Sequence, residues 1–104
     1  MNKPVRLDAL AEQEAEAAYS WYEDRELGLG ERFLQSLAKT LENVEEAPDA
    51  CAAVPGQFAA PVRTARVKRF PYRVVFVELG DRYRVVAVAH MSRRPGYWTE
   101  RLGE

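Results

Sequence analysis

One segment of the chain, residues 30–47, has the regular spacing of an amphipathic helix, and this limits the folds available to the rest. Its apolar residues fall on one face, at Phe33, Leu34, Leu37, Leu41 and Val44. Such a stripe has to pack against another apolar surface. Pro48 follows directly and predicts that the helix ends at about Ala47.

A second helix is predicted before this segment, over about 9–26, where alanine and glutamate dominate. Asp8 is a candidate N-cap whose carboxylate accepts from the first free amides of the helix, and Gly28 suits the residue that follows a helix end. Because few residues separate the two helices, they are predicted to form an antiparallel hairpin. The adjacent pair Trp21-Tyr22 is interpreted as part of the core between the helices and their packing partner.

Alternating apolar and polar residues fill most of the second half of the chain. Three strands are predicted, over about Val62–Arg69, Tyr72–Leu79 and Arg82–Met91, with a two-residue hairpin connection at Gly80-Asp81. Val5-Arg6-Leu7 alternates and is a candidate short edge strand. The order β-α-α-β-β-β predicts an α+β fold: an N-terminal short strand and an antiparallel helical hairpin packed on a three- to four-stranded antiparallel sheet.

The composition fits a single folded domain spanning residues 1–104, with 47% apolar and 30% charged residues. Residues 49–61 are predicted to be a loop. The longest fully apolar run covers only residues 85–89, so neither a signal peptide nor a membrane span is expected, and the chain is predicted to be cytoplasmic with no membrane partner. Cys51 is the one cysteine and cannot make a disulfide or a metal site alone. No cofactor or metal is expected.

Positive charge is concentrated in the predicted sheet. Between Arg63 and Arg94 the chain carries nine basic and two acidic residues. Residues 1–52 have a net charge of −7 and residues 53–104 one of +6. This uneven distribution argues against general coating of nucleic acid and favours one localised positive surface. An RNA backbone and an acidic protein are the two candidate partners for such a surface.

Five segments spread over almost the whole chain carry a wider resemblance. They are the N-terminal strand with the Ala-rich helix ending in Trp21-Tyr22, Leu29-Gly-Glu-Arg-Phe33, the apolar stripe closing at Pro48, Arg66-Val-Lys-Arg-Phe-Pro-Tyr-Arg-Val-Val-Phe76, and His90-Met-Ser-Arg-Arg-Pro-Gly-Tyr-Trp98. Together they resemble the RelE/ParE superfamily of growth-arresting toxins from bacterial type II toxin–antitoxin (plasmid stabilisation) modules. The resemblance implies a cognate antitoxin partner whose tail wraps the toxin.

The resemblance leaves the activity open between two kinds of toxin. RelE-like members are mRNA interferases, endoribonucleases that cut mRNA in the ribosomal A site. ParE-like members share the fold, lack much of that catalytic set and inhibit DNA gyrase. The RelE-like activity is the leading hypothesis from the sequence. The alternatives are a non-enzymatic gyrase inhibitor and a family member that binds antitoxin without being toxic.

Likeness to the RelE pattern places candidate catalytic residues on the strands and in the tail. It places basic strand residues at Arg66 and Arg73, a basic residue after the last strand at Arg93 or Arg94, and a tyrosine at Tyr97. Arginine suits a phosphate clamp because its planar fork donates two parallel hydrogen bonds. Arginine is a poor general base, however, because it stays protonated at any ordinary pH.

Proton transfer is therefore the weak point of the RelE interpretation. A RelE-like lysine position corresponds to Thr64 in this chain, and this departure favours the gyrase alternative. His90 is the one side chain whose unperturbed pKa suits acid–base work near neutral pH. It is a catalytic candidate, with local hydrogen bonding at the sheet edge as the alternative. Substrate or antitoxin binding is assigned to Lys68, Arg69 and Arg94.

Each of the remaining charged and aromatic residues also has a structural interpretation. Arg73 is either functional or paired with a helix carboxylate, and Arg82 and Arg84 are predicted to be solvated surface charges. Trp98 is expected to anchor the tail, which leaves Tyr97 as the more exposed residue. The acidic residues Glu12, Glu14 and Glu16 are expected to form a solvated helix face.

Overall fold

A five-stranded sheet with two helices on one face organises residues 3–103, the part of the chain that this computed structural model describes. Its elements are β1 (Val5–Leu7), α1 (Ala9–Arg25), α2 (Leu29–Glu46), β2 (Ala52–Ala53), β3 (Val62–Val67), β4 (Tyr72–Glu78) and β5 (Tyr83–His90). Short 3-10 turns cover Pro48–Ala50 and Thr99–Gly103. The predicted α+β class, the helical hairpin and the three long strands are confirmed.

The sheet has more strands than the sequence predicted, and it is mixed. Its strand order is β1-β5-β4-β3-β2. β1 runs parallel to β5, with Val5 opposite Tyr83, while the other pairs are antiparallel. The extra strand is β2, two alanines inside the segment that was predicted to be a loop. Two residues are too few to show an alternating pattern, so β2 has no signal in the sequence.

Small side chains let α1 lie close to the sheet. Its buried residues are Ala11, Ala15 and Ala18, which share one face of the helix. α2 contributes the larger side chains of the core, and Phe33 is completely buried at its centre. The ring of Phe33 packs against three other aromatic rings, those of Tyr22, Phe70 and Tyr72. The apolar stripe predicted for α2 is therefore the main helical contribution to the core.

The prediction for the Trp21-Tyr22 pair is correct for Tyr22 and wrong for Trp21. Tyr22 joins the aromatic cluster around Phe33, whereas 51% of Trp21 is exposed. Successive residues on a helix point about 100° apart, so one of two neighbours usually leaves the buried face. The Arg25 guanidinium instead lies over the exposed Trp21 ring, 3.4 Å from the ring centroid.

A carboxylate of α1 stabilises the start of α2. Glu23 accepts hydrogen bonds from the backbone amides of Gly28 and Gly30, both at 2.9 Å. Gly28 has φ +88° and is the N-cap of α2, whereas Glu26 is the C-cap of α1. Gly30 is required for close approach, because a Cβ at this position would lie 2.7 Å from the Tyr19 carbonyl oxygen. The hairpin turn is therefore held by side-chain capping as well as by packing.

Both faces of the sheet are covered. The helices cover one face, and a second cluster on the other face contains Val62, Val75, Val77, Val86, Ala87 and Trp98. Trp98 is buried there beside Phe58, so the predicted anchoring role of Trp98 in the tail is confirmed. Neither helix within residues 3–103 combines the length and the apolar content needed to cross a bilayer.

Candidate functional site

Most of the predicted site residues lie at one end of the sheet. The β3–β4 turn and the end of β5 are neighbours there, since the Met91 amide donates to the Pro71 carbonyl at 2.8 Å. Arg66 and Arg73 face each other across β3 and β4. Basic side chains from separate strands and from the tail are thus brought to the same region.

A cleft of about 310 Å³ opens at this end, and we call it the arginine cleft. Its polar and aromatic lining includes Thr64, Arg73, His90, Arg93, Arg94 and Tyr97. Arg73, Arg93 and Arg94 are exposed, and none of the ion pairs within residues 3–103 involves them. The alternative in which Arg73 pairs with a helix carboxylate is therefore wrong. The three guanidinium groups remain available to an anionic partner.

Thr64 adds an unsatisfied polar atom to the arginine cleft. Its Oγ1 is buried, and no hydrogen-bond partner exists for it within residues 3–103. Buried hydroxyl groups are normally hydrogen-bonded, so an exception calls for an explanation.

The other predicted cations line a different depression. Arg66, Lys68 and Arg69 are exposed and lie along a groove between α2 and the β3–β4 turn, which we call the α2 groove. The single positive surface expected from the sequence is therefore divided into two. Arg66 lies next to the boundary between them, because it is paired with Arg73.

The Tyr97 hydroxyl is bound within the protein. It donates to Glu14 Oε2 at 2.6 Å, and the Arg93 guanidinium stacks on the Tyr97 ring, 3.9 Å from its centroid. Burial, with the hydrogen bond to Glu14 second, raises the pKa of the Tyr97 phenol far above its usual value. Tyr97 is more exposed than Trp98, as predicted, but its hydroxyl holds its proton and is directed at Glu14.

His90 is hydrogen-bonded through one ring nitrogen. Its Nδ1 accepts from the Ser92 amide at 3.0 Å and lies 2.7 Å from Ser92 Oγ, while its ring packs edge-on against Tyr72. The local hydrogen bonding considered as an alternative for His90 is present. Nε2 makes no hydrogen bond within residues 3–103. On the α1 side, His90 and Arg93 border a second, largely apolar groove of about 500 Å³ that also includes Trp21.

Glu14 connects α1 to β5 and to the tail. It accepts two hydrogen bonds from Arg101, at 3.0 and 3.1 Å, and one from the Val88 amide at 3.0 Å, besides that from Tyr97. Only 16% of each side chain of the Glu14–Arg101 pair is exposed. The expectation that Glu14 belongs to a solvated helix face is therefore wrong, although it holds for the exposed Glu12 and Glu16.

A second carboxylate makes a similar bridge nearby. Asp8 Oδ2 accepts from Arg84 at 2.7 Å, and the Arg84 guanidinium also donates to the Arg101 carbonyl at 2.9 Å. Asp8 precedes α1 as predicted, but its side chain makes no cap hydrogen bond because it is bound to Arg84 instead. The prediction of a solvated Arg84 is wrong for the same reason, whereas Arg82 is surface-exposed beside Asp81.

A family model described as the ParE toxin of the type II toxin–antitoxin system parDE matches residues 5–95. The chain belongs to this family. The match covers α1, α2 and all five strands, together with the arginines of both cationic depressions, and it ends before Tyr97.

Solved structures agree with this ParE assignment at the level of the fold. A chain of the chromosomal ParDE TA system from P. aeruginosa aligns with a TM-score of 0.70 over 86% of this chain and 97% of that one. The two sequences are 16% identical, so the match supports the fold alone. A search of curated proteins finds no significant match.

Two residues beside the arginine cleft, Glu14 and Arg101, were not predicted from the sequence to belong to the site. A signal for Glu14 exists, since it lies three residues after Ala11 and four before Ala18 and so borders the buried alanine face of α1. Nothing comparable marks Arg101. Its partner is 87 positions away in the sequence, and only the folded tail brings the two together.

The raised pKa of Tyr97 predicts a stability change in alkaline solution. Below about pH 10, the usual tyrosine pKa, both the folded and unfolded chains keep the phenolic proton. Above that pH the unfolded chain releases it first, so the stabilisation from Tyr97 is lost as the pH rises toward the folded-state pKa. Urea unfolding at pH 8 and pH 11 should show a smaller loss of stability for Tyr97→Phe than for the unmodified chain. If both proteins lost the same amount of stability between pH 8 and pH 11, the raised pKa of Tyr97 would be contradicted. Tyr22 and Tyr72, whose pKa values burial also raises, are present in both proteins and cancel.

Proposed function

We propose that this chain is the toxin of a type II toxin–antitoxin module and that it acts as a non-enzymatic inhibitor of DNA gyrase. The supporting observation is the chemistry of the arginine cleft, where Arg73, Arg93 and Arg94 offer fixed positive charge and cannot act as proton acceptors. Arginine does not give up its proton, and the Tyr97 hydroxyl is bound to Glu14. Such a cleft is suited to binding an acidic surface, in agreement with the ParE family match.

A second candidate, ribosome-dependent mRNA cleavage, is favoured by one observation at His90. Its Nε2 has no partner within residues 3–103, and the ring borders the cleft that contains Arg73, Arg93 and Arg94. In that reaction the 2′-hydroxyl attacks the neighbouring phosphate, so a proton has to be removed and the added charge stabilised. His90 would move the proton and the arginines would hold the phosphate.

Two assays with purified protein separate these activities. Gyrase inhibition predicts that supercoiling of relaxed plasmid stops near a 1:1 ratio of toxin to gyrase, while message in a cell-free translation reaction stays intact. Supercoiling that continues in molar excess of the toxin would reject the gyrase proposal. If cuts in the A site appear instead, His90→Gln should reduce them by about 10²-fold or more, the usual contribution of general acid–base catalysis.

The same proposal includes an antitoxin with an amphipathic, acidic segment. The arginine cleft adjoins the apolar groove at Trp21, so a helix with carboxylates on one side and apolar residues on the other would complement both. Lys68 and Arg69 would add longer-range attraction. Induction of the chain without antitoxin tests toxicity itself. Growth arrest is expected, and normal growth would support the third alternative, a member that binds antitoxin without being toxic.

A further inference from the structure

The α2 groove has a composition unlike that of the arginine cleft. It is a depression of about 690 Å³, and five of its lining residues are cations: Arg32, Lys39, Arg66, Lys68 and Arg69. The other lining residues include the neutral hydrogen-bonding side chains of Gln35, Ser36 and Asn43, and none of the lining residues that the structure describes is acidic. The one ion pair made by these cations within residues 3–103 joins Arg32 to Glu26 at 3.3 Å, on an exposed surface.

The polar side chains of α2 form a straight row along the groove. Arg32, Ser36, Lys39 and Asn43 are separated by three or four positions and therefore share one helix face. From first to last, the row is about 16 Å long at a rise of about 1.5 Å per residue. A strand of duplex DNA presents one phosphate for about every 3.4 Å of helix axis. The groove is thus long enough to contact more than one phosphate of a strand.

Arg69 occupies a backbone position that would favour glycine. Its φ is +72°, and within residues 3–103 it is the one non-glycine residue with positive φ. The left-handed conformation is costly for a side chain with a Cβ, and such residues concentrate at functional sites. An arginine here directs a cation toward the α2 groove in a turn that a glycine would form with less strain.

We propose that the α2 groove binds the phosphate backbone of duplex DNA. The lining favours phosphate over a folded protein surface, because aromatic anchors are enriched at protein interfaces and Phe70, the one aromatic among the described lining residues, is buried. It also disfavours single-stranded nucleic acid, which binds by stacking its bases on exposed aromatic rings. The role of this binding, which would hold the toxin against gyrase on its DNA, rests on the proposed function. The binding of duplex DNA by the α2 groove is independent of that function.

The test measures the purified chain with a fluorescein-labelled 20-base-pair duplex by fluorescence anisotropy between 50 and 200 mM salt. Lys39→Gln with Lys68→Gln removes two cations of the groove. The control, Arg6→Gln with Arg82→Gln, removes two cations at the opposite end of the sheet, the exposed Arg6 and the half-buried Arg82 that pairs with Asp81. The groove variant should bind about tenfold more weakly, and its slope of log affinity against log salt should be smaller by about 1.8. The control should match the unmodified chain.

Arg69→Gly provides an independent check, because it removes a cation and relieves the left-handed conformation together. Its melting temperature should be at least that of the unmodified chain while its affinity for the duplex falls. Equal salt slopes for the groove and control variants would overturn the proposal. So would tighter binding to a single-stranded RNA of equal length, or to a decaglutamate peptide. Gyrase is absent from this experiment, so its failure leaves the supercoiling result untouched.

Discussion

Replacement of Glu14 by alanine is expected to destabilise the folded chain by about 3 kcal/mol or more, the typical cost of removing one partner of a buried ion pair. The Arg101 guanidinium would lose both bonds to the carboxylate, and Tyr97 and the Val88 amide would lose their acceptor. For a domain of this size the melting temperature should fall by roughly 10 °C or more. Thermal unfolding followed by circular dichroism measures the change.

Glu16→Ala is the matched control for this experiment. Glu16 is on the same helix and is exposed, so its removal should change the free energy of unfolding by no more than about 0.5 kcal/mol. If the two variants melt at the same temperature, Glu14 does not stabilise the tail. Glu14→Gln should fall between them, because it keeps the shape of the side chain and loses the charge that holds Arg101.

Reversal of two charges in the arginine cleft is expected to abolish inhibition of gyrase. Arg73→Glu with Arg94→Glu places negative charge where the proposal requires attraction to an acidic surface, and like charges across an interface cost several kcal/mol. The concentration needed for half-inhibition of supercoiling should rise by about 100-fold or more, since each factor of ten corresponds to about 1.4 kcal/mol. Neither arginine makes an ion pair within residues 3–103, so the fold should be retained.

The control for this reversal carries the same change in net charge elsewhere. Arg6→Glu with Arg82→Glu alters the opposite end of the sheet and should inhibit supercoiling as well as the unmodified chain does. If both double variants lose inhibition equally, overall charge governs the interaction and the arginine cleft does not. Similar melting temperatures for the two variants would show that the comparison is free of folding effects.

The main elements were predictable because their apolar patterns have a clear period. The stripe from Phe33 to Val44 fixed α2, and alternation fixed the three long strands to within two residues at their ends. β2 was missed because two alanines show no period. The exposure of Trp21 was missed because the residues around the Trp21-Tyr22 pair do not show which of the two rings faces the core.

The charges of the site could be predicted, but their arrangement could not. The high density of arginines in the sequence located the positive region. Its division into the arginine cleft and the α2 groove depends on how β3 and the β3–β4 turn lie against α2. The identity of the buried acid was also hidden among three similar glutamates. Its partner Arg101 belongs to a tail whose path is set by the packing of Trp98, a contact distant in sequence.

Both edges of the sheet are nearly closed to further pairing. The outermost strands have three and two residues. Beyond them, side chains bind backbone groups of the longer strands: Arg101 and Glu14 bind β5 at Val86 and Val88, and Thr40 binds β3 at Arg66. Open strand edges are the usual starting points for intermolecular β-assembly and fibril growth. A copy without a bound partner would therefore resist self-association through its strand edges.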